Sequence, residues 1–256
     1  MCWLDAYFDV PNIVFVLAVD KSQLEASTAA VYGEKINAPE YLRRFIDLDY
    51  GIPMVQSKKF TNTLLTRFEL DSEFSKRIDR QTQYDKDNFV DTFTELADVH
   101  GMSLRARERC IARLCIVMEQ IQPKHYLDPT LLALLIVLRI KKAILFNRLC
   151  AGIDGPEEVM LYLSGLPGGQ VLVAGRSGVE IEAYLIAADP NKERAEARAL
   201  TLTRQADEAD VSDPPTIKLR AADLAQMRRH IFSGFRHSVS LAHLANKIDL
   251  AVAVRD

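Results

Sequence analysis

Two kinds of residue stand where they could do chemistry: one carboxylate that ends an apolar run, and several arginines near helix starts. Asp20 closes Ile13-Val14-Phe15-Val16-Leu17-Ala18-Val19, seven apolar residues of which four are β-branched. Such a run reads as a strand buried on both faces of a parallel sheet. The carboxyl end of such a strand is where open α/β sheets bind ligands. Asp20 also begins Asp-Lys-Ser-Gln, a capping-box pattern in which its other task is to start a helix. Arg105 follows Ser103-Leu104 at a second helix start, where the helix dipole favours an anion over a cation. That local cost suggests a functional reason for Arg105, although Arg107, Arg109 and Arg113 on the same helix also fit a solvated basic face. Arg228-Arg229-His230 and Arg236-His237, interleaved with Phe232 and Phe235, could contact phosphates and stack on bases. A charged helix end near Gly234 is the plainer reading of the same residues.

Several chemistries are disfavoured by what the sequence lacks. No glycine is followed by lysine, so there is no Gly-Lys-Ser/Thr loop to wrap phosphates with backbone N–H groups and a lysine. The glycines at 165, 168, 169, 175 and 178 read as turns, with a strand-like continuation at Gln170–Ala174. Cys2, Cys110, Cys115 and Cys150 form no Cys-x-x-Cys pair, and no metal site is expected from their spacing. Buried thiols in a reducing, cytoplasmic compartment are the plain expectation. The histidines at 230, 237 and 243 lack the spacing of helical zinc ligands. A net charge of −3 over 256 residues argues against attraction of the whole protein to nucleic acid.

The elements that must position these residues change character along the chain. Lys21–Tyr32 reads as a helix with Leu24, Thr28 and Val31 on one face and Gly33 as its stop. Asn37-Ala38-Pro39 opens a short helix through Arg44, and Phe45–Tyr50 reads as a strand ended by Gly51-Ile52-Pro53. From Ser57 the period is helical: Phe60, Leu64, Leu65 and Phe68 mark one face, and Phe89, Phe93, Leu96 and Val99 another. Ser103 caps a third helix with a core stripe from Leu104 to Ile121. Asp128-Pro129 starts a helix over Thr130–Leu149. Its run Leu131–Leu138 is too short to span a bilayer and reads as a buried helix. Gly152-Ile153-Asp154-Gly155-Pro156 is the expected domain boundary. Beyond it, helices are expected near Glu157–Ser164, Glu180–Ala188, Asn191–Arg204, Ala221–Phe232 and Leu241–Val252, with an acidic linker at Asp207–Pro215.

Phe8–Leu24, then Tyr32-Gly33, then Tyr-Leu-Arg-Arg-Phe-Ile-Asp-Leu-Asp-Tyr-Gly-Ile-Pro over Tyr41–Pro53, resemble the KAP family of P-loop NTPases. The likeness extends through Ser103-Leu104-Arg105 and Leu127-Asp128-Pro129. In that family these segments follow the Walker B strand and supply the sensor-1 strand, a helix, the last strand and a helical lid. The resemblance therefore implies a mostly α fold: a small α/β remnant of a P-loop NTPase sheet over 1–53, a helical lid over 54–151, and a helical C-terminal module over 152–256. It makes Asp20 sensor 1-like, Arg105 sensor 2-like, and Arg44, ahead of Arg43, an arginine finger acting on a neighbour's nucleotide. Solvated arginines, or a salt bridge to Asp47 or Asp49, are the alternative for that pair.

The departure from the family is the missing Walker A and Walker B. Met1 falls after the point where both belong, so the expectation is an amino-terminally truncated NTPase or a remnant kept for binding. The resemblance implies the sensor and lid portion of an ATP-dependent signalling or phage-defence switch, inactive in ATP hydrolysis alone. ATP and Mg²⁺ are then cofactors of the intact family member rather than of this chain. Expected partners are another copy in a homo-oligomer or an intact NTPase. A non-enzymatic interaction module, or nucleic-acid contact through Arg228–His237, are the alternatives.

Overall fold

The computed structural model describes residues 14–33, 35–46, 48, 50–51, 55–76, 84–120, 128–208 and 241–253. The chain divides into two compact units, Met1–Met54 and Val55–Asp256.

In the first unit, the expected strand does not form. Val14–Asp20 runs without regular secondary structure, and no strand occurs among the described residues. Val14 and Val16 are 88% and 90% exposed. A doubly buried strand needs hydrogen-bonded neighbours along its edges and layers over both faces, and the described residues supply neither. The second expected strand fails in the same way: Phe45, Ile46, Leu48 and Tyr50 lie in turn or coil, with Leu48 and Tyr50 largely exposed. Two helices do form. α1 (Lys21–Tyr32) begins at the Asp20 cap and ends where Gly33 takes φ +97° and donates its N–H to the Ala29 carbonyl. α2 (Ala38–Leu42) starts where the Asn37 side chain accepts the Glu40 N–H, with Pro39 in the first turn. The Tyr41 ring bridges them, 4.9 Å from Tyr32 and 5.3 Å from Phe45.

Every regular element among the described residues of the second unit is a helix. α3 (Ser57–Arg67), α4 (Leu70–Ser75), α5 (Asp85–Val99) and α6 (Leu104–Gln120) precede α7 (Pro129–Lys141), which packs against α5, α6, α8 (Ala143–Cys150), α11 (Arg176–Ala188) and α13 (Leu241–Ala253). Every residue from Pro129 to Leu138 is buried, because a helix apolar on all sides is stable only when surrounded. None of the described helices is long and apolar enough to cross a membrane. Phe89 and Phe93 stack at 5.6 Å beneath it in the α5 face of the core.

The remaining helices are α9 (Pro156–Ser164), α10 (Gly169–Ala174) and α12 (Lys192–Glu208), and the helical unit corrects the sequence reading at three places. Thr130–Leu149 is two helices, broken where Lys142 takes φ −147° and ψ 61°, a break unmarked by proline or glycine. Gln170–Ala174 is helical, not strand-like. Gly175–Gly178 is not a free turn but the N-cap and first turn of α11. The reason for both is close packing. A Cβ on Gly178 would lie 2.4 Å from the Leu172 carbonyl, so glycine lets α11 sit directly on the end of α10. α12 adds a small second core, Ala195, Ala199 and Leu202 against Val179, Ala183 and Ile186.

The Gly152–Pro156 segment is held by arginines. Arg148 grips Asp154 with two bonds of 2.8 and 2.6 Å. Arg194 binds both oxygens of buried Asp189 and reaches the carbonyls of Gly152, Ile153 and Asp154.

Candidate functional site

The cation-bearing turn of α6 is built from the end of α5 upward. Gly101, at φ +54°, reverses the chain after His100. The Met102 N–H closes onto the Ala97 carbonyl at 2.9 Å, and buried Met102 anchors the turn in the core. Ser103 caps α6 by accepting the Ala106 N–H at 3.3 Å. Arg105 then projects exposed from the first turn, where both the guanidinium and the helix dipole favour an anion.

Arg107 behaves differently, which corrects the reading of a single solvated basic face. It is only 6% exposed. Its Nε donates to the Met102 carbonyl at 3.1 Å and its Nη2 to Asp98 Oδ1 at 2.6 Å, while Nη1 is buried without a partner. Asp98 Oδ1 also accepts the Ser57 hydroxyl from the start of α3 at 2.7 Å. The signal was present in the sequence. Arg107 precedes Cys110, Ile111 and Leu114 by three, four and seven residues, which puts it on the apolar stripe. Arg109 is exposed and Arg113 half-buried.

In the first unit, Asp20 is fully exposed and holds the start of α1. Its Oδ1 accepts the Ser22 hydroxyl at 2.7 Å and the Gln23 N–H at 3.2 Å. The Ser22 hydroxyl first, and the Gln23 N–H second, hold its carboxyl below the usual range. Arg43 pairs with Glu40 at 3.4 Å across two largely exposed side chains, a contact worth little in water. Arg44 is exposed, and its N–H bonds to the Tyr41 carbonyl at 3.3 Å. Asp47 and Asp49, the other proposed partners, lie outside the described residues. So do Arg228–His237. Asp20, Arg43 and Arg44 thus belong to one unit and Arg105 to the other.

The remaining polar chemistry is buried. Asp128 is 4% exposed; its Oδ1 caps α7 by accepting the Leu131 N–H at 2.8 Å. Burial pushes its carboxyl up to about 7, against the Leu131 N–H and the Tyr184 hydroxyl, which lower it. His100 is buried, with Nδ1 2.6 Å from the Leu96 carbonyl and Nε2 3.1 Å from the Tyr162 hydroxyl. Burial pushes the thiols of Cys110 and Cys150 up to about 12, which disfavours the nucleophilic thiolate form. Among the described residues no group of three His, Cys, Asp or Glu could hold a metal ion.

Residues 3–121 match the family model of the KAP family P-loop domain. No curated protein and no solved structure matches the chain.

Proposed function

Since residues 3–121 match the family model of the KAP family P-loop domain, we propose that this chain is the sensor and lid portion of a KAP-type NTPase. It would be cytoplasmic and would serve an ATP-dependent signalling or defence switch without hydrolysing ATP by itself. The observation that carries this reading is the division of labour on α6: Arg107 is consumed in packing, whereas Arg105 is left exposed at an anion-favouring helix start. Nucleotide would come from an intact NTPase partner, because no Gly-Lys-Ser/Thr occurs in the sequence. The test is to mix the purified chain with an intact KAP NTPase and follow ATP turnover. The chain alone should be silent, the mixture should differ from the intact enzyme, and Arg105→Ala should cancel that difference. Unaided ATP turnover by the chain would overturn the reading.

A second reading rests on the exposure of Val14–Val19 together with that of Arg43 and Arg44. Here the first unit is an interaction module that docks on the intact NTPase and lends it Arg44. In the same mixture, Arg44→Ala rather than Arg105→Ala would then remove the effect.

A further inference from the structure

Asp98 joins three helices through one oxygen atom. From α5, its Oδ1 receives the Ser57 hydroxyl at 2.7 Å and Arg107 Nη2 at 2.6 Å. Ser57 is the first residue of α3, the first helix of the second unit. Two further contacts tie that helix start to α5: the buried Thr61–Thr94 hydroxyl pair at 3.0 Å and the Lys58–Asp91 ion pair. On the other side, the Arg107 guanidinium also closes onto the Met102 carbonyl at 3.1 Å, and its backbone N–H bonds to the Ser103 carbonyl at 3.0 Å. The turn that carries Arg105 is therefore clamped at both ends by a side chain whose anchor is shared with the start of α3.

We propose that Ser57, Asp98 and Arg107 form a positioning relay through which the start of α3 sets the first turn of α6 and so the aim of Arg105. Displacement of the start of α3 takes the Ser57 hydroxyl from Asp98, weakens the hold on Arg107 and loosens the Arg105 turn. Charge-assisted bonds suit this use, being roughly twice as strong as neutral ones and dependent on direction. Arg105, Arg43 and Arg44 have no part in the relay, whose three members touch no ligand and are positioning residues. Its functional value rests on the reading of Arg105 as a sensor.

Amide hydrogen exchange on the full chain tests the relay. Ser57→Ala should speed exchange of the Ala106 and Arg107 amides at least about threefold, leave Leu134–Leu138 of α7 unchanged, and be reversed by Ser57→Thr, which restores a hydroxyl. Lys58→Ala, which breaks the neighbouring α3–α5 ion pair, should leave the α6 amides at their normal rate. Unaltered α6 exchange in Ser57→Ala would overturn the relay. So would an acceleration shared equally by α7, since that is general loosening. Arg105→Ala should leave this exchange pattern intact while cancelling the effect on a partner NTPase, so the relay and the sensor reading can fail separately.

Discussion

Arg107 Nη2 lies 2.6 Å from Asp98 Oδ1, and the same guanidinium holds the Met102 carbonyl through Nε. One side chain thereby fastens the α5–α6 turn at a carboxylate and a backbone carbonyl. Arg107→Ala should cost about 3 kcal/mol, because it strips a buried carbonyl and a carboxylate of their donor. The Asp98 side chain is 48% exposed and can be rehydrated, which keeps the loss from rising further. Arg107→Lys should recover only part, since an ammonium lacks the planar fork that spans both acceptors. Urea unfolding measures this, and an unchanged midpoint for Arg107→Ala would refute it.

Asp128 makes stability fall as pH rises. Its folded pKa, about 7, stands above the usual 3.8, so the folded state holds the proton more tightly than the unfolded chain. The stabilising contribution is full below about pH 3.8 and is lost as pH climbs through about 7. Its size is on the order of 4 kcal/mol. Asp128→Asn keeps an oxygen for the Leu131 N–H and removes the titration, so its stability should be flatter between those limits. Parallel slopes for wild type and variant would contradict this.

His100 acts in the opposite sense. The Leu96 carbonyl can only accept, so Nδ1 carries the proton and Nε2 accepts from the Tyr162 hydroxyl. Burial, the largest influence, holds the imidazole below its usual 6.5. Its contribution is therefore full above about pH 6.5 and is lost as pH falls through the depressed folded value. Ring NMR should show His100 titrating below its usual 6.5, with the Nδ1–H tautomer. A midpoint at or above 6.5 would rule the arrangement out.

Two glycines in one region should respond in opposite ways to alanine. At Gly178 the new methyl would meet the Leu172 and Val173 carbonyls at 2.4 and 2.5 Å. That backbone cannot yield, and Gly178→Ala should cost more than about 2 kcal/mol. At Gly165 the nearest atom is 3.5 Å away and φ is −76°. Gly165→Ala should be neutral or stabilise by about 0.5 kcal/mol through the unfolded chain. Thermal unfolding of the two variants decides the matter, and similar losses would defeat the packing account.

By itself the sequence determined what is local. Asp20, Asn37 and Asp128-Pro129 cap the helices their patterns announce, and Leu131–Leu138 lies buried as its composition requires. Helix starts and apolar stripes depend on neighbours within a turn or two, so short-range chemistry suffices to read them. The tertiary structure alone decided which residues found partners far along the chain. The β-branched run before Asp20 has strand character, but a strand exists only when another backbone lies beside it, and the described residues bring none. Arg107 sits on the apolar stripe, but only the approach of α5 and α3 supplied the Asp98 carboxylate and the Ser57 hydroxyl that make its burial stable. Arg105, two residues earlier and on the other side of the same helix, stays exposed because none of the described residues packs over it.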